Sequence, residues 1–178
     1  MIGMKQVMTR ADNEQTDSSS TSAPIEVVRS DAVSESAVHM QMIEWVEKTL
    51  RHADKPNASV SIKIVDLDEM ILLNTTFRQK NMPTNLLSFP FEKATSSGAF
   101  VEVEAEMENF MSDIAICDAV VKTEADAQSK SYEQHFAHLT VHGVLHLLGF
   151  DHIDESEAAE MENNEIAILA MMGFANTY

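Results

Sequence analysis

Residues 133–152, "EQHFAHLTVHGVLHLLGFDH", constrain the fold more than any other stretch of the chain. Four of their five histidines, His135, His138, His142 and His146, are spaced by three, four and four residues. On a helix that spacing stacks all four on one face. Gly149 suits a residue that ends a helix in a left-handed conformation. The pattern therefore predicts a helix from Tyr132 to Leu148, then a turn, and the rest of the chain must form a domain around it.

The 178 residues are enough for one domain with a full core, and two ordinary domains would leave each too small. Residues 1–23 contain "TDSSSTSAP", which has nothing to bury, and they read as a disordered polar extension before a domain spanning 24–178. "IEVV" is a short strand. "SESAVHMQMIEWVEKTLRHA" places Val38, Met42, Trp45, Val46 and Leu50 at helical spacing, with Ser34 or Ser36 as cap. "ASVSIKIVD" alternates Val60, Ile62 and Ile64 against polar residues, the period of a strand with one buried face. "LDEMILLNTTFR" reads as a helix with Met70, Leu73 and Phe77 on one side. "LLSFPF" is a strand that Pro90 confines to an edge or an end. The pattern leaves 94–111 undecided. "DIAIC" is a further strand, residues 119–128 are helical, and "ESEAAEMENNEIAILAMM" makes a last helix opened by acidic residues. This order predicts an α+β fold, a mixed sheet packed with several helices.

The net charge of −17 opposes a nucleic-acid partner, since phosphate binding depends largely on Lys and Arg. Its distribution is uneven. Residues 48–93 carry 7 basic and 5 acidic side chains, while 94–178 carry 2 and 16. A local phosphate-binding face on an acidic body fits that asymmetry. No apolar run approaches the roughly 18–20 residues of a membrane span, and the first residues lack the apolar core of a secretory signal. The single cysteine, Cys117, permits no internal disulfide and reads as a small buried hydrophobe. These features fit a soluble protein of the cytoplasm with no membrane partner.

The four histidines cannot share one ion, because His138 and His146 are separated by about 12 Å of helix rise. One i, i+4 pair can chelate. A turn at Gly149 can fold His152 back toward His142 and His146, so these three are the expected metal ligands. Three imidazoles leave a position open for water, the arrangement of a catalytic zinc rather than a closed structural one. His138, one turn earlier, could orient a ligand or substrate, or be a satisfied core or surface histidine. Asp151 could accept a hydrogen bond behind a ligand, or simply occupy the turn.

The spacing also matches a class of zinc peptidases that place glutamate directly after the first histidine, as proton acceptor. Here that residue is Gly143, which argues against peptide hydrolysis. Phosphodiester hydrolysis is less dependent on it, because water bound to zinc is already partly ionised near neutral pH. It needs instead a cation to fix the phosphate. Arg78 and Lys80, in "FRQKNMPTNLLSFPFE", lie in the net positive third.

Taken together, "HGVLHLLGFDH", "LNTTFRQKNMPTNLLSFPFE" and "SDIAICDAVVKTEA" resemble the YbeY family of zinc-dependent endoribonucleases, from about Ile25 to the last helix. The resemblance implies a small mixed sheet with the metal helix lying across it, and one zinc ion per chain on His142, His146 and His152. It implies cleavage of single-stranded RNA in 3′-end maturation of 16S ribosomal RNA and in ribosome quality control, with the small subunit and its proteins or assembly factors as partners. Carried over by position, Arg78 is expected to face the metal and hold the scissile phosphate, with catalysis resting on Arg78 and His142 and substrate binding on Arg78 and Lys80. Ser112 stands where the family usually has glycine, and Phe150 where tyrosine is common. A ribosome-assembly factor with a structural metal is the alternative, and a metalloprotease-like hydrolase a more remote one.

Overall fold

The computed structural model describes residues 25–90, 110–150 and 154–174. The polar extension, most of the undecided stretch 94–111, and both Asp151 and His152 lie outside the described residues. Element order is β1 (Ile25–Arg29), α1 (Ala37–His52), β2 (Ser59–Val65), α2 (Leu67–Arg78), β3 (Leu86–Pro90), β4 (Phe110–Cys117), α3 (Asp118–Ala127), α4 (Tyr132–Leu147) and α5 (Glu155–Met171).

The strands form one sheet in the order β1-β2-β4-β3. β1 and β4 run parallel to β2, and β3 runs antiparallel to β4, so the sheet is mixed. The alternation in "SVSIKIV" is realised as read: Val60, Ile62 and Ile64 are buried, in register with Ser112, Ile114 and Ile116 of β4. Pro90 ends an edge strand, where its missing N–H costs no ladder bond. β4 begins earlier than "DIAIC" suggests, at Phe110, and Ser112 sits inside the strand beside a bulge opposite Ser59 and Val60 rather than in a turn.

The two faces of the sheet carry different helices. Ile62, Ile64, Ile114 and Ile116 pack with Met42, Trp45, Val46 and Leu50 of α1, Phe136, Val144 and Leu145 of α4, and Ile168 and Leu169 of α5. Val65, Leu87, Ala115 and Cys117 pack with Met70 and Leu73 of α2. Phe77 departs from the expected stripe: it is 60% exposed, its ring set edge-on against Phe89 at 5.0 Å. Cys117 is buried, and burial pushes its thiol up.

α4 is buried on nearly every side, by α1, α3 and α5 and by the sheet at β3 and β4. Such a helix is a rigid support for whatever its histidines do. A polar cluster pins its first turn. Tyr132 donates to Asp118, Lys122 lies 2.7 Å from the same carboxylate, and His39 of α1 sits 3.1 Å from the Tyr132 hydroxyl. Burial alone would raise the Asp118 carboxyl; hydrogen bonds from His39, Lys122 and Tyr132 outweigh it and hold the group well below the usual carboxylate range. Burial first, then the bond to Asp118 and its charge, push the Tyr132 phenol far above its ordinary value.

Candidate metal centre

Gly149 ends α4 as its position predicts, with φ +89°. Its N–H donates to the His146 carbonyl at 3.0 Å and the Phe150 N–H to the Leu145 carbonyl at 3.1 Å, the paired bonds of a Schellman turn. That turn has a second effect. It brings the Phe150 carbonyl to 3.1 Å from His146 Nδ1, so the backbone that stops the helix also orients the last histidine on it. No atom lies within 4 Å of a Cβ built on Gly149. Gly149→Ala is therefore expected to act through backbone strain alone, lowering stability by about 1–3 kcal/mol and weakening metal retention. A thermal melt together with metal content after dialysis checks both; an unchanged melt and full retention would refute this reading.

His142 is oriented by a residue that the sequence reading passed over. Glu165 of α5, only 1% exposed, places Oε1 at 2.8 Å from His142 Nδ1 and Oε2 at 3.5 Å from His138 Nε2. One buried carboxylate thus bridges two imidazoles, which is where the structure puts His138. A carboxylate behind a histidine fixes its tautomer and raises its basicity as a ligand. A signal for Glu165 did exist. It interrupts an otherwise apolar stripe on α5 with Met161, Ile168 and Leu169, where an acid needs a partner.

The two ring orientations decide what the pair can hold. Glu165 and the Phe150 carbonyl are both acceptors, so His142 and His146 each present a protonated Nδ1 to them and turn the Nε2 lone pair inward. The two Nε2 atoms lie 3.1 Å apart. A proton on either Nε2 would make that contact a hydrogen bond, and a metal ion between the rings, with bonds of about 2.0–2.1 Å, would satisfy both lone pairs. The donor set fits a divalent ion of the zinc type. His138, His142 and Glu165 also form a group that could hold a metal, with ligand atoms within 4.8 Å of one another. In that group the His142 contact to Glu165 has a hydrogen-bond length at 2.8 Å, His138 stands farther off at 3.5 Å, and the carboxylate is closed off from solvent, so it is better suited to supporting a site than to presenting one.

His142 and His146 open onto a cleft of about 720 Å³, whose walls include Arg78, Lys80, Asn85, Ser88 and Phe150. The cations arrive there because α2 ends at Arg78, with Gln79 in the left-handed conformation as C-cap. Asn74 then donates to the Met82 carbonyl at 2.7 Å, and Asn85 donates to both oxygens of Glu124 at 3.3 and 3.1 Å, which fastens the loop at two points. His135, given no role above, lies 2.8 Å from Glu124. Arg78 Nη2 reaches the Ser88 carbonyl on the open edge of β3, and Ser88 Oγ donates to the Gly143 carbonyl. Two sequence-distant stretches therefore meet at one cleft. Asp151 and His152 lie outside the described residues, so no geometry attaches to either.

Gly143 has a packing role. A Cβ there would stand 2.8 Å from Leu86 Cδ1 and 3.1 Å from Ile114 Cδ1. The residue after the first histidine faces the sheet, so a side chain at that position would be directed at Leu86 and Ile114.

A mixed four-stranded sheet, with a buried helix presenting a histidine pair to a cation-lined cleft, defines a small α+β protein with a candidate metal centre. The chain matches the family described as Endoribonuclease YbeY over residues 25–173, and it belongs to that family. Among its relatives, the Endoribonuclease YbeY of Methylococcus capsulatus is 48% identical over 134 residues, 75% of this chain and 81% of that protein. The one from Coxiella burnetii is 44% identical over 137 residues, 76% and 84% of the two chains. A solution structure from Thermotoga maritima shares the fold, with TM-score 0.54 at 20% identity over 84% of this chain and 92% of that one.

Proposed function

We propose that this chain is a metal-dependent endoribonuclease that cleaves single-stranded RNA. The observation that carries the reading is the shared cleft, where Arg78 and Lys80 stand with His142 and His146. Membership in a family of proteins named endoribonucleases supports the substrate class. His142, His146 and His152 would hold one zinc ion, with Glu165 fixing the first imidazole and His138 joined to it through the same carboxylate. When bound, the ion supplies Lewis acidity that activates water and polarises a phosphoryl oxygen. Arg78 offers a planar fork of donors to the scissile phosphate and offsets the charge that develops there, while Lys80 adds a point charge. The resemblance to the family supports a role in 16S ribosomal RNA 3′-end maturation and ribosome quality control, in the cytoplasm and on the small subunit. Among the described residues no helix is long and apolar enough to cross a membrane.

The acidic surface supports a second reading, an assembly factor that contacts basic ribosomal proteins and does not cleave. One comparison separates the two. Wild type and His142→Ala are incubated with an unstructured RNA while metal content is measured by elemental analysis. His142→Ala is expected to lose most of its metal and its cleavage. Equal metal in both proteins would refute the ligand assignment, and a metal-loaded wild type that leaves the RNA intact would favour the assembly factor.

A further inference from the structure

Phe77 has no place in the site described so far, yet it is the residue immediately before Arg78 and is 60% exposed. Phenylalanine at the end of a helix is normally turned inward. Here the ring packs against Phe89 in a T-shaped pair, centroids 5.0 Å apart at 69°, while most of its surface stays exposed. The two contacts run in parallel: Phe77 meets Phe89 as Arg78 meets the carbonyl of Ser88, the preceding residue on β3. Consecutive residues of α2 thus contact consecutive residues of β3, an edge strand among the described residues. Charge suited to a polyanion follows directly in the chain, since Arg78, the next residue, and Lys80 line the cleft.

We propose that Phe77 is the base-stacking residue of the substrate site, receiving an unpaired nucleobase of the strand whose phosphate Arg78 holds. The inference rests on the reading above and adds to it the origin of preference for single strands. A base in a duplex is stacked on its neighbours and cannot reach a protein ring, whereas an unpaired base can, and each stacked base commonly contributes a five- to hundredfold gain in affinity. The contact depends on a π-face rather than on base edges, so it discriminates little by sequence. Leu72, on the same helix and 65% exposed, is apolar without a ring and serves as the control.

The test uses the full chain, loaded with zinc, and a short unstructured RNA with and without its complementary strand. Phe77→Ala is expected to raise KM for the single strand about tenfold with kcat within about twofold. Phe77→Tyr should restore it, and Leu72→Ala should resemble wild type. Phe77→Trp adds a direct readout: its fluorescence should be quenched by the single strand and not by the duplex, against the native Trp45, which is 4% exposed. If wild type binds and cleaves while Phe77→Ala keeps its KM and Phe77→Trp is not quenched, the stacking role falls and the nuclease reading stands. If wild type binds no single-stranded RNA at all, both fall together.

Discussion

Arg78→Ala is expected to lower kcat/KM for single-stranded RNA by about 10²–10³-fold, the usual loss when one preorganised charge-stabilising group is removed. The fold should survive the change. Arg78 is exposed, and the hydrogen bond it makes runs to the Ser88 carbonyl at 3.3 Å on a strand edge that solvent can also satisfy. Its substitution should therefore shift the melting temperature by no more than a degree or two. Arg78→Lys separates charge from geometry. A lysine restores a point charge without the bidentate fork, so partial recovery of activity would support a role in aligning the phosphate as well as attracting it. Metal content should equal wild type in both variants. An Arg78→Ala protein that cleaves as well as wild type would refute the phosphate-holding role. Lost metal would show instead that the substitution had disturbed the histidines.

Gly143→Glu, which writes the peptidase pattern into α4, should unfold the protein rather than redirect it. The new Cβ would meet Leu86 Cδ1 at 2.8 Å and Ile114 Cδ1 at 3.1 Å, and the carboxylate would follow into the core behind them. Leu86 is partly buried and can turn aside, whereas Ile114 is buried in the sheet and has less room to give. Overpacking costs about 1–3 kcal/mol, and an unpaired buried acid adds several more. Against a total stability of about 5–15 kcal/mol this is a large fraction, equivalent to a fall of about 10 °C or more. A thermal melt followed by circular dichroism checks it, and a melting temperature within two degrees of wild type would refute the packing account. Gly143→Ala is a useful companion, since its methyl makes the same close approaches to Leu86 and Ile114 without adding a buried charge, and the residue gains helix propensity.

Much of this was legible from residue order because it depends on local physics. The period of two in "SVSIKIV", the helical spacing of Met42, Trp45, Val46 and Leu50, and the glycine after α4 each fix a conformation within a few residues. The histidine pair was legible for the same reason, since i, i+4 on one helix is a distance set by helix geometry. Phe77 departs because its spacing from Met70 and Leu73 predicts a shared buried face, while in the fold its ring meets Phe89 and stays 60% exposed. Glu165 was passed over because its partners, His138 and His142, lie on another helix more than twenty residues away.

By itself, then, the sequence determined the elements, the helix that carries the histidines, and the cationic stretch that would serve an anionic substrate. Only the tertiary structure decided that β3 and α4 lie side by side, bringing Arg78 and Lys80 into the cleft of His142 and His146. It also changed the meaning of Gly143. From the sequence, that glycine was a missing proton acceptor; in the fold, it is the point where α4 comes close enough to the sheet that a Cβ would press on Leu86 and Ile114. The physical reason is one of range. Backbone propensity and periodicity act over a few residues, whereas the cleft and its supporting carboxylate arise from contacts between segments that only packing brings together.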